Sequence, residues 1–175
     1  MMNGNGLSDK LKATFPDAPL VARCKPINQE INPDWLAGFV TAEGCFSVYL
    51  KKSPKSKIGY SVTLRFSISQ HSRDSALMQS IVKYLDCGQY RAVANKSKGE
   101  FIIESIKDID AKLIPVFNNH PPRGVKVNDY RSFLKAVEIV RSKGHLTESG
   151  LVEIRDIISV INSNRKLVCD HFEQK

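Results

Sequence analysis

At 175 residues the chain is long enough for one domain with a real core, or for a domain plus an arm. Its formal charge of +8 and pI near 9.4 favour a polyanionic partner, nucleic acid before a membrane surface, and no apolar run is long enough to cross a bilayer. The four cysteines (Cys24, Cys45, Cys87, Cys169) lack CxxC spacing, and His71, His120, His145 and His171 show no ligand spacing, which argues against zinc or a disulfide frame and for reduced thiols.

Residues 1–31 read as an arm. The N-terminus lacks the basic-then-apolar profile of a secretory signal, and Met1-Met2-Asn3-Gly4-Asn5 looks like an added start. A short helix is expected around Ser8–Phe15, followed by an irregular stretch through Pro16, Pro19 and Pro26. The next signal is sharper. Asn32 offers a side-chain acceptor to cap a helix, Pro33 fits the first helical position, and Gly44 is a natural stop in the left-handed conformation. The helix between them carries Gly38 and Ala42 on one face, so its backbone can come very close to another helix. It is too short to span a membrane, so the neighbour is another copy of the chain or a sister domain. Glu43 stands at the helix C-terminus, where the macrodipole and unpaired carbonyls already concentrate negative charge. It is either a solvated acid at a frayed end or, with nearby carbonyl oxygens, a partial shell for Mg²⁺.

The segment Leu36-Ala37-Gly38-Phe39-Val40-Thr41-Ala42-Glu43-Gly44 resembles the signature of the LAGLIDADG homing endonucleases. The resemblance implies that two such helices pack together, here through Trp35, Gly38, Phe39, Thr41 and Ala42, and that Glu43, with Ala42 beside it, binds the catalytic metal. The family's earlier acidic position is Thr41, so that carboxylate is absent. Gly6-Leu7-Ser8-Asp9-Lys10-Leu11-Lys12 and Phe15-Pro16 look like the linker before the second motif of two-motif enzymes from fungal mitochondrial introns. Only one motif is present, so residues 32–175 resemble the C-terminal half of such an enzyme, and by that likeness the expected compartment is the mitochondrion.

After Gly44 the pattern changes to period two, predicting two half-buried strands. Phe46, Val48 and Leu50 alternate with Cys45, Ser47, Tyr49 and Lys51; Val62, Leu64, Phe66 and Ile68 alternate with Ser61, Thr63, Arg65, Ser67 and Ser69. Lys51, Lys52, Lys55 and Lys57 make the turn between them basic. This polar face, free of acids, is either plain solvent exposure or a ribbon for base edges and phosphates in a major groove. Ser72 is expected to cap a helix through Leu77, Met78, Ile81, Val82 and Leu85 that ends near Gly88. A second strand pair, Gln89–Ala94 and Phe101–Ser105, adds Arg91, Val93, Lys96 and Lys98 to the basic surface. Asp108 is expected to cap a short helix ending near Pro115–Phe117, with amphipathic helices over Asn128–Lys143 and Thr147–Asn162 after it.

That order is similar to the αββαββα unit of the family, an α+β fold whose curved antiparallel sheet sits on DNA. Lys126-Val127-Asn128-Asp129-Tyr130 and His145-Leu146-Thr147 are further points of likeness. The resemblance also implies roles for Gln70, near the scissile phosphate and its water, and for Lys126, entering from the loop after the second hairpin. The whole implies a Mg²⁺-dependent, sequence-specific endonuclease of double-stranded DNA, acting as a homodimer on a near-palindromic site. An RNA-binding intron maturase, a DNA-binding protein that does not cut, and a half that needs a partner half all remain open.

Overall fold

The computed structural model describes residues 9–16 and 30–170. Helix α1, Asp9–Thr14, lies inside the segment expected to be helical, while Pro19 and Pro26 fall outside the described residues. From residue 30 the order is α2 (Pro33–Glu43), β1 (Gly44–Lys52), β2 (Tyr60–His71), α3 (Ser75–Leu85), β3 (Gln89–Ala92), β4 (Lys98–Ile103) and then helices. These are α4 (Ile106–Asp108), a π-helical turn (Ile109–Leu113), α5 (Ile114–Asn119), α6 (Lys126–Arg141) and α7 (Glu148–Asp170). The expected α+β order holds. The four strands form one antiparallel sheet in the order β1-β2-β4-β3, so the second hairpin joins the first through its later strand and leaves β3 at the edge.

Register explains the core. Phe46 faces Phe66, Val48 faces Leu64, and on the other side of β2 Phe66 faces Ile103 and Ile68 faces Phe101. Each of these side chains is buried, so one sheet face is continuously apolar. Helices cover it: Phe117 of α5 and Tyr130 and Phe133 of α6 close around Phe46, with ring centroids 5.2–6.1 Å from it. Leu36 and Val40 of α2, both fully buried, join the same cluster. Aromatic packing at these separations adds to the area term, which makes Phe46 the centre of the domain. Tyr130 keeps its hydroxyl satisfied inside this cluster by donating to Asn118 Oδ1 at 2.9 Å. Burial pushes its phenol up to about 12.

Several local expectations are corrected. Gly44 is not left-handed: its φ of −74° and ψ of 148° are extended, and β1 begins there directly. A glycine is needed for space, because a Cβ would lie 2.6 Å from both Cγ1 and the carbonyl oxygen of Val40. Ser72 opens a 3-10 turn instead of capping a helix; His71 Nδ1 accepts from Arg73 N at 3.2 Å, and α3 starts only at Ser75. Leu85 does end α3, with Asp86 left-handed at φ 51° and Gly88 at φ 73° completing the turn. Ser105, not Asp108, caps α4, accepting from Asp108 N at 3.4 Å. The helix then widens to a π turn just before Pro115, whose ring cannot follow an ordinary α turn and supplies no N–H. β4 begins at Lys98, so Lys98 and Gly99 are strand and not loop, and β3 ends at Ala92. Lys126 is the first residue of α6 instead of a loop residue, and α7 runs past Asn162 to Asp170.

Candidate active site and nucleic-acid face

Helix α2 is built as expected at its start. Asn32 Oδ1 accepts from Asp34 N at 2.8 Å and Trp35 N at 3.1 Å, and Pro33 takes the first turn. Leu36, Ala37 and Val40 point into the core. Trp35, Gly38, Phe39 and Ala42 are spaced for the other face. Trp35 is 43 % exposed and stacks on Phe39 at 5.0 Å between centroids, and a Cβ on Gly38 would meet nothing within 4 Å. Thr41 is turned differently: its Oγ1 donates to Ala37 O and accepts from Arg123 N at 2.9 Å. It therefore ties α2 to the 120–125 loop, as does Asp34, whose carboxylate lies 2.6 Å from His120 Nδ1. Of the five residues expected at a helix–helix contact, Trp35, Gly38 and Ala42 are exposed, Phe39 is half-buried and also packs against the core, and Thr41 flanks them.

Glu43 ends α2 in solvent, and among the described residues no hydrogen bond or ion pair engages its carboxylate. Lys126 reaches the next residue, its Nζ donating to the carbonyl of Gly44 at 2.7 Å. The structure thus brings the start of α6 against the α2–β1 junction, with an ammonium on the carbonyl of the residue that follows the acid. Gln70 lies at the same end of the sheet, two positions beyond Ile68, the β2 partner of Gly44. It shares the strand face of Phe66 and Ile68, not that of Ser67 and Ser69.

The open sheet face carries Ser47, Tyr49 and Lys51 on β1, then Ser61, Thr63, Arg65, Ser67 and Ser69 on β2. Lys52, Lys55 and Lys57 follow in and after β1, and Arg91, Lys96 and Lys98 ring the second hairpin, where all six are exposed or partly so. Val93 is half-buried in that turn, its N–H donating to Lys98 O at 2.9 Å. Ser47 and Ser67 are buried, at 4 % and 7 % exposure, so they are floor rather than reach. The face is also not free of acid. Register puts Glu100 opposite Ser69, and Arg65 Nη2 lies 3.3 Å from Glu100 Oε2, with Glu104 at 3.6 Å from Nε. Sequence reading missed Glu100 and Glu104. The alternation Lys98, Glu100, Ile102 carries the signal once β4 is started at Lys98.

No group of three His, Cys, Asp or Glu among the described residues could hold a metal. Glu43 alone, solvent-open and beside carbonyl oxygens, fits a hard cation with water in most of its shell, and the full set would need a second such carboxylate.

The description "LAGLIDADG endonuclease" belongs to the family model that matches residues 36–137, more than half of the chain. The chain belongs to the LAGLIDADG endonuclease family. A "Probable intron-encoded endonuclease 2" of Neurospora crassa is 36% identical over 163 residues, covering 87% of this chain and 34% of that protein. The LAGLIDADG homing endonuclease I-LtrWI, solved bound to target DNA, is 41% identical with a TM-score of 0.83, over 91% of this chain and 54% of that one. I-SmaMI bound to cleaved DNA is 37% identical with a TM-score of 0.82, over 94% and 55%. This LAGLIDADG chain therefore spans about a third of its curated relative and about half of the solved chains. No helix among its described residues is long and apolar enough to cross a membrane.

Proposed function

We propose that the chain is a metal-dependent, sequence-specific endonuclease of double-stranded DNA whose active unit holds two LAGLIDADG helices face to face. The observation that carries this reading is the open face of Trp35, Gly38 and Ala42, with Phe39 half-buried under Trp35, beside a solitary Glu43. In a homodimer the same face meets itself across a two-fold axis, which sets two Glu43 carboxylates at one seam and matches a near-palindromic site. The half-length of the chain relative to I-LtrWI and I-SmaMI favours a second version, in which a sister half supplies the other helix. Residues 1–31 would then be linker and 32–175 the domain. The intron-encoded fungal relatives support a mitochondrial setting.

Glu43 and the Ala42 carbonyl would hold Mg²⁺, which supplies Lewis acidity to the phosphate and a more acidic water. The chain's own residues do the rest. Lys126 keeps one N–H on Gly44 O and has two more donors for the charge that builds on the phosphate oxygens, the kind of preorganised stabilisation worth 10²–10³ in rate per donor in roughly comparable sites. Gln70, at the same sheet end, orients the attacking water. The lysines of both hairpin tips neutralise backbone phosphates, and the open sheet face reads bases.

Plasmid carrying a selected site, incubated with Mg²⁺, should be cut by the wild type and left intact by Glu43→Gln while DNA binding is unchanged. Light scattering over a concentration series accompanies it. A dimer on DNA supports the two-fold version; a monomer that binds and never cuts sends the search to a partner half; binding without metal-dependent cutting in any pairing would falsify the nuclease reading.

A further inference from the structure

We propose that Glu100 is a base-reading residue, selecting cytosine in the DNA target, with Arg65 held beside it for the guanine of the same pair. The inference rests on the DNA-binding reading above. Arg65 on β2 has its Nε 3.6 Å from Glu104, which follows β4, and reaches along the face to Glu100, four residues earlier on β4. The position between, Ser67 opposite Ile102, is buried on both strands. Glu100 accepts from Arg65 Nη2 with Oε2 and from Ser69 Oγ with Oε1, at 3.3 and 3.2 Å. Arg65 and Glu100 are each only about a quarter exposed, at 28% and 26% of their side chains.

One guanidinium thus sits between two carboxylates, and with Arg91, the β3 partner of Glu100, the middle of the face carries no net charge in a chain of +8. A phosphate docked there finds no excess of positive charge, whereas the hairpin-tip lysines offer it charge on both sides. What a carboxylate on a groove-facing sheet can take is a donor. The major groove presents donors only as the exocyclic amines of cytosine and adenine. Glutamate matches the single N4 amine of cytosine, because adenine adds an N7 acceptor that a carboxylate opposes. Each Glu100 oxygen already accepts one bond, and a carboxylate has room for about four, so the amine can be taken without breaking the Ser69 bond. Arg65 keeps donors after its bond to Glu100, although its Nε is buried without a hydrogen bond among the described residues. Guanine O6 and N7 are the acceptors that such a fork matches.

The experiment is a parallel selection from a pool of randomised DNA duplexes with the wild type, Glu100→Gln and Glu100→Ala, each checked for an unchanged thermal melt. The wild type should enrich cytosine at one position of its half-site. Glu100→Gln should move that one position to adenine, because a carboxamide pairs with N6 and N7 together. Glu100→Ala should erase the preference there, by roughly tenfold to a hundredfold relative to the wild type, and leave other positions alone. Unchanged profiles in both variants, or a uniform loss across all positions, overturn the assignment and leave Glu100 as a strut for Arg65. A wild type that enriches no sequence overturns the DNA-reading function itself, and this assignment with it.

Discussion

Replacing Gly44 by alanine tests whether the junction of α2 and β1 is set by space or by conformation. The backbone there, φ −74° and ψ 148°, is one that alanine adopts without strain. On conformation alone the change should stabilise, by about 0.4–1 kcal/mol through the unfolded chain. The new methyl, however, would stand 2.6 Å from Val40 Cγ1, 2.6 Å from Val40 O and 3.1 Å from Val40 Cα. Val40 is fully buried against the core, and two of the three contacts are backbone, so rotamer change in Val40 relieves only one of them. Overpacking of this kind costs roughly 1–3 kcal/mol, which outweighs the conformational gain and leaves a net loss of about 1–2 kcal/mol. Urea unfolding should show a lower midpoint at an unchanged slope, and a thermal melt should fall by roughly 2–8 °C for a chain of this size. Adding Val40→Ala removes the Cγ1 contact but not the carbonyl one. The double mutant should therefore recover part of the Gly44→Ala loss as a coupling term and not all of it. A Gly44→Ala protein as stable as the wild type, or more so, would refute the steric argument and return Gly44 to the role of a flexible stop.

Lys126→Ala removes the 2.7 Å bond to the Gly44 carbonyl and should cost about 1–2 kcal/mol in urea unfolding, while slowing cleavage far more, by roughly 10²–10³, with DNA affinity nearly kept; equal losses in stability-matched binding and cleavage would deny it the transition-state role. Alanine at Lys51, Lys55, Lys57 or Lys96 should lower the slope of log affinity against log salt by about 0.9 for each lysine that meets a phosphate, read by titration at several salt concentrations; an unchanged slope takes that lysine off the DNA path. Stability should decline in alkali. Burial holds the Cys87 thiol up at about 11, helped by Asp108, and the Tyr130 phenol at about 12, above their unfolded values of 9.0 and 10.0. A folded state that keeps its protons longer is favoured fully below pH 9 and loses that advantage as pH rises towards 11 and 12. Urea midpoints should accordingly fall above pH 9, and Cys87→Ala should flatten the first part of the fall; a midpoint rising with pH would contradict the burial of both groups.

Helix α2 and the first hairpin were legible in the sequence because their signals are local. Asn32-Pro33, the small face of Gly38 and Ala42, and alternation through Phe46, Val48, Leu64 and Phe66 each act within a few residues. What was not legible depended on partners far along the chain. Period two says which side a residue takes and nothing about which strand lies beside it, so the β1-β2-β4-β3 order needed the structure. Glu100 and Glu104 escaped for the same reason, since their meaning comes from standing next to Arg65, 35 and 39 residues away. The cap of α4 failed differently. Ser105 and Asp108 are both capping residues, and choosing Ser105 lets the helix start before Ile109 and Leu113, which the core buries. Gly44 was read by its freedom when its smallness was decisive.

The two faces of α2 answer to different demands, and this separates folding from function in the same eleven residues. Leu36, Ala37 and Val40 already bury the inner face completely enough to fix the helix on the sheet, and the Asn32 cap and the Thr41–Arg123 bond fix its ends. Nothing in the fold therefore requires the ring that covers Phe39 to be an exposed tryptophan, or Gly38 to lack a side chain where there is room for one. A large aromatic left 43 % exposed beside a small-residue groove carries a hydration cost that the monomer does not recover. The same applies to Glu43, an uncompensated acid at the negative end of a helix dipole. Both costs are removed together if a second helix covers the groove and a cation joins the acids at the seam. Each feature is unfavourable in the single chain for its own physical reason, and one assembly relieves both. That makes two LAGLIDADG helices and a shared metal the most economical reading of this surface.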